Sequence, residues 1–185
     1  MARGTPGGSP GSLHAHASTN KETFAPFCAV RRNRSAIVVR RVRAVCQRVS
    51  RARVIVDETV RAEIGTGLLV LLGVARGDDA AAAERLGTKI ARLRIFEDER
   101  GRFDRSLLDV PGAALVVSQF TLIADTRKGN RPSFGEAAPP EQAEPLYEHL
   151  CGILRAHGVR VETGVFAARM SVELTNEGPV TVVLD

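Results

Sequence analysis

The sequence predicts an α+β domain in which a mainly antiparallel, barrel-like β-sheet packs against two principal helices. Short β-branched segments recur from Val42 to Asp185, some alternating with polar residues and some continuously apolar, as is typical of strands. Two longer segments instead repeat apolar residues every three to four positions, as amphipathic helices do. Strands and helices follow one another in blocks, which favours an α+β arrangement over a regular parallel α/β sheet.

Four strands are expected before the first helix. Three of them are short and alternating, and the fourth is a continuous apolar run between glycines, so we expect it to be buried. In chain order they are "VRAVCQRV" from Val42, "ARVIVDE" from Ala52, "VRAEI" from Val60 and "GLLVLLGV" from Gly67. Further strands are expected in "AALVVSQFTLI" from Ala113, "VRVETGVF" from Val159 and "MSVELTNEGPVTVVLD" from Met170, and "EDERGRF" from Glu97 resembles a hairpin turn.

The first helix is predicted in "GDDAAAAERLGTKIARLRIF", where either Asp78 or Asp79 can cap the amino terminus. Its apolar face follows the spacing i, i+4, i+8, i+11. That face consists of Ala82, Leu86, Ile90 and Leu93.

The second helix is predicted in "PPEQAEPLYEHLCGILRAHG", after a long polar loop, "DTRKGNRPSFGEAAPP". Pro140 suits the first turn of a helix, and Gly158 suits its carboxyl-terminal stop. The expected apolar stripe is Leu146, Leu150, Ile153 and His157.

Composition narrows the class of protein. No apolar run approaches the roughly 18 residues that a membrane span needs, so we expect a soluble protein. The three cysteines, Cys28, Cys46 and Cys151, are far apart and odd in number, which argues against a disulfide framework and suits a reducing compartment. The four histidines show no spacing that would pair with cysteines as a zinc site, so no metal is expected.

The net charge of +5 comes from one end of the chain. Residues 1–41 hold seven of the 26 basic residues and one of the 21 acidic ones, so residues 42–185 are nearly neutral. Residues 1–41 are rich in Gly, Pro, Ser and Ala, and we expect them to be disordered. They fit a transit peptide loosely. We favour an extension without a role, or one that is not translated because initiation occurs at Val42.

Two segments place unusual residues in otherwise good strands. Ser118, Gln119 and Thr121 are polar at the end of a buried strand, where alternation would put Gln119 and Thr121 on one face. Satisfying backbone groups at the strand end is the simpler explanation of these residues taken alone. Gly178-Pro179 interrupts the last strand, where the simpler explanation is a bulge or an edge strand.

Together, "SQFTL" at 118–122 and "NEGPVT" at 176–181 resemble the paired signatures of the D-aminoacyl-tRNA deacylase family, in the type shared by bacteria and eukaryotes. The resemblance extends over residues 42–185. "QRVSRARVIVD" is similar to the family's first strands, "GLLVLLGV" to its central strand, and "ADTRKGNRPSF" to the loop after the first signature.

This resemblance implies a compact α+β homodimer with active sites at the subunit interface and no cofactor. The implied reaction is hydrolysis of the ester between a D-amino acid and the terminal adenosine of tRNA, a chiral proofreading step of translation in the cytoplasm. Glycyl-tRNA, including glycine mischarged on the tRNA for alanine, is an implied second substrate. The resemblance also implies that the Gly178-Pro179 dipeptide of one subunit enters the pocket of the other.

The resemblance assigns roles to individual residues. A cis Gly178-Pro179 bond would direct two carbonyls at the substrate's α-ammonium and block an L side chain, since discrimination between mirror images needs a built-in clash. Arg48 would orient this dipeptide, and Met170 belongs to the same substrate-binding set. Ser118, Gln119, Phe120 and Thr121 form the catalytic set.

Within the catalytic set, the backbone amides of Phe120 and Thr121 are the candidates for stabilising the oxyanion. We prefer attack by water, with help from the adenosine 2′-hydroxyl, to attack by Thr121, because no evident base stands beside that hydroxyl.

The implied tRNA contact is the loop after the first signature, through Arg127, Lys128 and Arg131, although an ordinary solvated loop explains these charges equally well. Two positions depart from the family pattern: Arg169 replaces an acidic residue, and Asp104 replaces an asparagine. Two rival functions remain open at this point. One is a non-catalytic nucleic-acid-binding module of the same fold, and the other is a relative that edits L-amino acids through a trans Gly-Pro bond.

Overall fold

The computed structural model describes residues 42–185. The predictions made for residues 1–41, disorder or absence from the translated protein, therefore lie outside the described residues. Within residues 42–185, no helix is both long enough and apolar enough to cross a membrane.

A six-stranded sheet is organised around one long strand, β1, which pairs antiparallel with three others. These elements are β1 (Arg43–Val56), β2 (Thr59–Ile64), β3 (Gly67–Gly73) and β8 (Ser171–Leu184). The first half of β1 lies between β3 and β8, and its second half lies between β2 and β8.

The sheet continues from β3 through two parallel pairings, to β6 (Ala113–Ser118) and then to β7 (Arg160–Thr163). The Arg160 guanidinium donates to the carbonyl of Glu63 in β2 at 3.4 Å, so the two edge strands approach each other and the sheet nearly closes. A separate antiparallel hairpin consists of β4 (Phe96–Glu97) and β5 (Phe103–Arg105). The predicted α+β class, with a mainly antiparallel and barrel-like sheet, is confirmed.

The first two predicted strands are one strand, so that prediction was wrong in its boundaries. β1 runs without interruption from Arg43 to Val56, although Arg48 and Ser50 break the simple alternation. Its register against β8 shifts on both sides of Val49, and these bulges let the strand bend while Val49 stays fully buried. Sequence periodicity cannot distinguish such a bulge from a strand end.

The first helix, α1 (Ala80–Ala91), lies where it was predicted, but it ends before Leu93, and Ala82 and Leu93 of the predicted face are only partly buried. The Asp79 carboxylate accepts a hydrogen bond from the amide of Ala82 at 2.7 Å and so caps the helix. Leu86 and Ile90 are buried as expected.

The second helix, α2 (Pro140–Ala156), begins at the predicted proline and is followed by Gly158 at a φ of +88°. The predicted stripe is rotated by about one position: the buried residues are Tyr147, Leu150, Cys151 and Leu154, whereas Leu146, Ile153 and His157 lie at its margin. The face is set by two contacts that the sequence does not show. The Tyr147 hydroxyl donates to the carbonyl of Val116. Ile153 packs against Gly87, so closely that a Cβ added to Gly87 would lie 3.0 Å from the Ile153 side chain.

The core lies on both faces of the sheet. Helices α1 and α2 pack on one face against alternate residues of β3 and β6, including Val70 and Val116. The other residues of these strands, including Leu69 and Leu115, fill the interior of the curled sheet. β3 and β6 are therefore buried on both sides, which explains their continuous apolar sequences.

Candidate active site

The first signature lies where β6 ends and the chain changes conformation. Ser118 is the last residue of β6, and Phe120–Ile123 forms a short 3₁₀ helix. The predicted strand alternation across residues 118–121 is therefore wrong, because the chain leaves the sheet after the Gln119 amide donates to Leu72 of β3 at 2.7 Å. Gly73 permits this turn, since a Cβ there would lie 3.1 Å from the Gln119 carbonyl oxygen.

The turn presents two backbone amides at its amino-terminal end. Its first internal hydrogen bond runs from the Leu122 amide to the Gln119 carbonyl at 3.1 Å. The amides of Phe120 and Thr121 precede that bond, so neither has an acceptor within the turn. The Gln119 side-chain amide donates to the Thr121 hydroxyl, which fixes both side chains. Two adjacent donors of this kind can stabilise negative charge on a carbonyl oxygen.

A cavity of about 620 Å³ opens beside this turn. Three of the four predicted catalytic residues, Ser118, Gln119 and Phe120, line it together with the predicted Met170, whereas Thr121 does not. The other walls come from the residue after β3, from β6, from the loop before α2 and the start of α2, and from β8 and the loop before it. They are Val74, Val117, Phe134, Ala137, Ala138, Pro140, Ala143, Phe166, Ala167, Ala168 and Val172. Among the described residues, this lining includes no acidic or basic side chain.

Two aromatic residues of the lining were missed from the sequence. Phe134 contacts Phe120 edge to face, with ring centroids 5.1 Å apart and both rings partly exposed. Phe166 comes from the loop between β7 and β8, and its ring centroid lies 5.9 Å from that of Tyr147. A phenylalanine inside a polar loop, as in "RPSF", is the one sequence signal that points to such a wall.

The second signature forms a protruding elbow, Gly178–Pro179, whose peptide bond is cis. In β8, Asn176 pairs with Val49 and Thr181 pairs with Gln47, so residues 177–180 stand opposite Arg48 alone. The Asn176 side chain donates to the carbonyl of Val180 at 3.1 Å and closes the base of the excursion. Gly178 and Pro179 are exposed and do not line the cavity of their own chain.

Arg48 contacts the elbow segment from below. Its side chain is only 7% exposed, and its Nε donates to the carbonyl of Glu177 at 3.3 Å. A Cβ built on Gly178 would lie 3.0 Å from one terminal nitrogen of the guanidinium. Arg48 and the elbow therefore form a unit apart from the cavity that Ser118, Gln119, Phe120 and Met170 line.

The two positions that depart from the family pattern lie away from the cavity lining. Arg169 is exposed, although its neighbours Ala168 and Met170 face the cavity. Asp104 belongs to β5, and both its carboxylate and its carbonyl accept hydrogen bonds from Arg94. Neither residue places its charge in the lining.

The basic loop predicted to contact tRNA is exposed at Arg127, Lys128 and Arg131. The Arg127 guanidinium forms an ion pair with Asp125 at 2.7 Å, which offsets its charge locally. Lys128 and Arg131 have no ion pair within the described part of the chain.

The described cysteines and histidines do not supply a nucleophile or a base at the cavity turn. Burial raises the pKa of Cys46 to about 12 and that of Cys151 to about 11, so both remain protonated thiols at neutral pH. His149 is exposed on α2, and His157 lies 3.3 Å from the Thr88 hydroxyl, between α1 and the end of α2.

Comparisons with known proteins show the family to which the chain belongs. A family model described as D-Tyr-tRNA(Tyr) deacylase matches residues 45–185. D-aminoacyl-tRNA deacylases of Anaeromyxobacter dehalogenans and Thermomicrobium roseum are each 62% identical over 144 residues, which is 78% of this chain and 97% and 94% of theirs. The solved structure of a c-Myc DNA unwinding element binding protein is 42% identical with a TM-score of 0.73, and the match covers 77% of this chain and 97% of that one. The chain belongs to the D-aminoacyl-tRNA deacylase family.

Proposed function

We propose that this protein hydrolyses the ester bond of D-aminoacyl-tRNA and thereby releases the D-amino acid and the tRNA. Its family relationship supports this activity, and so does a cavity with apolar walls that opens beside a turn with two amide donors. The observation that carries the proposal is the separation of the elbow from the cavity within one chain. A filter that distinguishes D- from L-amino acids must lie beside the substrate. The elbow of one copy of the chain therefore meets the cavity of a second copy.

The active enzyme is accordingly a symmetric homodimer in which each elbow enters the partner's cavity. Gly178 and Pro179 protrude from β8, and Val183 on the same strand is 65% exposed. An isologous pairing of this strand would bury apolar surface and complete two sites at once. Each site then takes its amide donors from one protomer and its elbow from the other.

The elbow discriminates by exclusion. The carbonyls of Gly178 and Pro179 accept hydrogen bonds from the substrate's α-ammonium, which fixes the Cα of the amino acid. With that carbon fixed, the L side chain points at the elbow and the D side chain points away. Glycine has no side chain to exclude, so glycyl-tRNA passes the same filter and is a second substrate.

Hydrolysis needs no charged side chain from the cavity. Water attacks the ester carbonyl carbon, and the oxygen that becomes negative is held by the amides of Phe120 and Thr121, worth about 3 kcal/mol per donor. The carbonyl then reforms, the bond to the adenosine 3′ oxygen breaks, and that oxygen leaves with the proton that the attacking water has lost. The adenosine 2′-hydroxyl assists this proton transfer, since the described lining carries no acid or base.

Contact with tRNA uses the exposed loop that follows the 3₁₀ helix. Arg127, Lys128 and Arg131 lie only a few residues beyond the oxyanion donors, so the loop can meet phosphates near the tRNA end. The nearly neutral charge of residues 42–185 implies a local contact of this kind. The reaction serves translation in the cytoplasm.

A nucleic-acid-binding role without catalysis is the second candidate, because the structural relative named above is described as a DNA unwinding element binding protein. A binding module requires neither unpaired amides beside an apolar cavity nor a protruding dipeptide. The two functions differ in one measurable property, the release of an amino acid.

The direct test incubates the full chain with D-tyrosyl-tRNA, L-tyrosyl-tRNA and glycyl-tRNA and follows amino acid release. We expect rapid release from the D-tyrosyl and glycyl substrates, and release from the L-tyrosyl substrate only at a far lower rate, measured at high enzyme concentration. Binding of tRNA without release would favour the second candidate. Release from L-tyrosyl-tRNA at the same rate would contradict the chirality filter.

A further inference from the structure

The hairpin formed by β4 and β5 reaches the elbow through one buried side chain. The guanidinium of Arg48 donates to three partners in different parts of the chain. They are the Glu177 carbonyl at 3.3 Å, the Ile95 carbonyl at 2.8 Å and the Glu97 carboxylate at 3.1 Å. Arg48 thus joins the elbow segment to the hairpin segment.

Each guanidinium nitrogen of Arg48 has a different hydrogen-bond acceptor. Nε contacts the elbow at Glu177, and the first terminal nitrogen is fixed by the Ile95 carbonyl. The second terminal nitrogen is the atom that would lie 3.0 Å from a Cβ on Gly178, and its acceptor is the Glu97 carboxylate. Because the guanidinium is planar and rigid, the Glu97 carboxylate adds a third anchor, and the one supplied by a side chain, to the group whose nitrogen lies beneath the elbow.

An aromatic ring holds the plane of the same guanidinium. The Phe103 ring centroid lies 5.4 Å from the Arg48 Cζ, within the distance of a cation–π contact. Phe103 is nevertheless 53% exposed, so it does little for the core. An exposed ring held against a buried cation indicates a positioning role.

The hairpin is itself firmly held, so it can act as a support. The Asp98 carboxylate accepts hydrogen bonds from the amides of Arg100 and Arg102, at 2.8 and 2.9 Å, and pairs with the Arg102 guanidinium. The Arg102 contacts lower the pKa of Asp98. The carboxylate that accepts these bonds is therefore ionised at neutral pH.

We propose that Glu97 is a positioning residue for enantiomer discrimination, acting through Arg48 on the elbow, with Phe103 as its aromatic support. This inference rests on the proposed function and extends it to a hairpin outside the cavity. Because the elbow works in the partner's cavity, Glu97 of one protomer influences the substrate bound by the other.

The test compares Glu97→Gln and Glu97→Ala with a matched control, Glu99→Gln. Glu99 lies in the same hairpin and pairs at 2.6 Å with Arg105, not with Arg48. The readout is the ratio of kcat/KM for D-tyrosyl-tRNA to that for L-tyrosyl-tRNA, measured with thermal stability. A structural defect alone would lower both rates and leave their ratio unchanged.

We expect Glu97→Ala to lower the D/L ratio about three- to tenfold, the effect of losing one half-exposed charge-assisted hydrogen bond. Glu97→Gln keeps an acceptor oxygen and should lower the ratio less. KM for tRNA should not change in either variant, and Glu99→Gln should behave as wild type. Two variants of Phe103 test the aromatic contact. Phe103→Leu should lower the D/L ratio, and Phe103→Tyr, which keeps the ring, should retain it.

The inference is overturned if both Glu97 variants keep the wild-type ratio, or if Glu99→Gln lowers it equally. It is also overturned if the D and L rates fall together in step with the melting temperature. A wild-type protein that releases neither amino acid would instead contradict the proposed function itself. The two failures are therefore distinguishable in one set of measurements.

Discussion

Replacing Gly178 by alanine tests the elbow at its most constrained position. Gly178 has a φ of +114°, a conformation that residues with a side chain rarely adopt. An added Cβ would lie 2.8 Å from Cγ2 of Val180 and 3.0 Å from the Arg48 guanidinium. Arg48 cannot withdraw easily, because its other nitrogens are bound to the carbonyls of Glu177 and Ile95. The elbow must move instead.

The size of the effect follows from this geometry. Holding a non-glycine residue in such a conformation costs about 1–3 kcal/mol. If the elbow relaxes out of place and the transition state loses that amount, kcat/KM for D-tyrosyl-tRNA falls about fivefold to 150-fold. A displaced wall also admits L side chains, so the Gly178→Ala variant should release measurable L-tyrosine. The assay is release of labelled tyrosine from each charged tRNA.

Gly77→Ala is the matched control for this prediction. Gly77 also has a positive φ, +85°, but a Cβ there would meet nothing within 4 Å, and the residue lies in the turn before α1. Gly77→Ala should therefore lower stability without changing the D/L ratio. Wild-type activity and selectivity in Gly178→Ala, or equal losses in both variants, would refute the assigned role of the elbow.

Three further predictions concern catalysis, tRNA contact and stability. Thr121→Ala should lower turnover less than about tenfold, because the backbone amide remains; near-complete loss with tRNA binding intact would instead identify its hydroxyl as the nucleophile. Replacing Arg127, Lys128 and Arg131 by alanine should weaken tRNA binding. The slope of log binding constant against log salt concentration should become shallower by about 1.5, because Lys128 and Arg131, the two cations without an ion pair, supply most of the contact. An unchanged slope would exclude the loop as the tRNA contact. Tyr147→Phe should lower the free energy of unfolding by about 1 kcal/mol in urea denaturation, because one buried hydrogen bond is lost while its acceptor keeps another donor, and a loss above about 3 kcal/mol would contradict this.

Local sequence signals predicted those parts of the fold that local interactions determine. The aspartate cap of α1, predicted at either Asp78 or Asp79 and found at Asp79, is specified by residues close together in the chain, and so are the proline at the start of α2 and the glycine-bounded strand β3. Such signals act through backbone conformation and hydrogen bonds within a few residues. They therefore remain readable without any knowledge of the tertiary structure.

The features that were missed depend on contacts between distant segments. The continuity of β1 depends on bulges against β8, and the buried face of α2 depends on a hydrogen bond from Tyr147 to β6. The support of Arg48 by Glu97 joins positions that are 49 residues apart. Periodicity carries no information about such partners, so only the three-dimensional structure reveals them.

The candidate site was predicted mainly through family resemblance. Ser118, Gln119, Phe120 and Met170 do line one cavity, and Arg48 does contact the elbow segment. Residue chemistry alone left both signatures open to simpler explanations, since polar groups at a strand end and a glycine-proline bulge are common. Their catalytic assignment stays a prediction until activity is measured.

The central claim, that each active site combines one protomer's cavity with the other's elbow, is tested most directly by mixed dimers. One protomer carries Ala143→Trp, which fills the cavity from α2, and the other carries Gly178→Ala; two affinity tags isolate the heterodimer. If the elbow acts across the interface, one site contains both defects and the other contains neither. The heterodimer should then release D-tyrosine at about half the wild-type rate, although each variant homodimer is impaired. A heterodimer no more active than those homodimers would show that the elbow serves its own chain and would contradict the account.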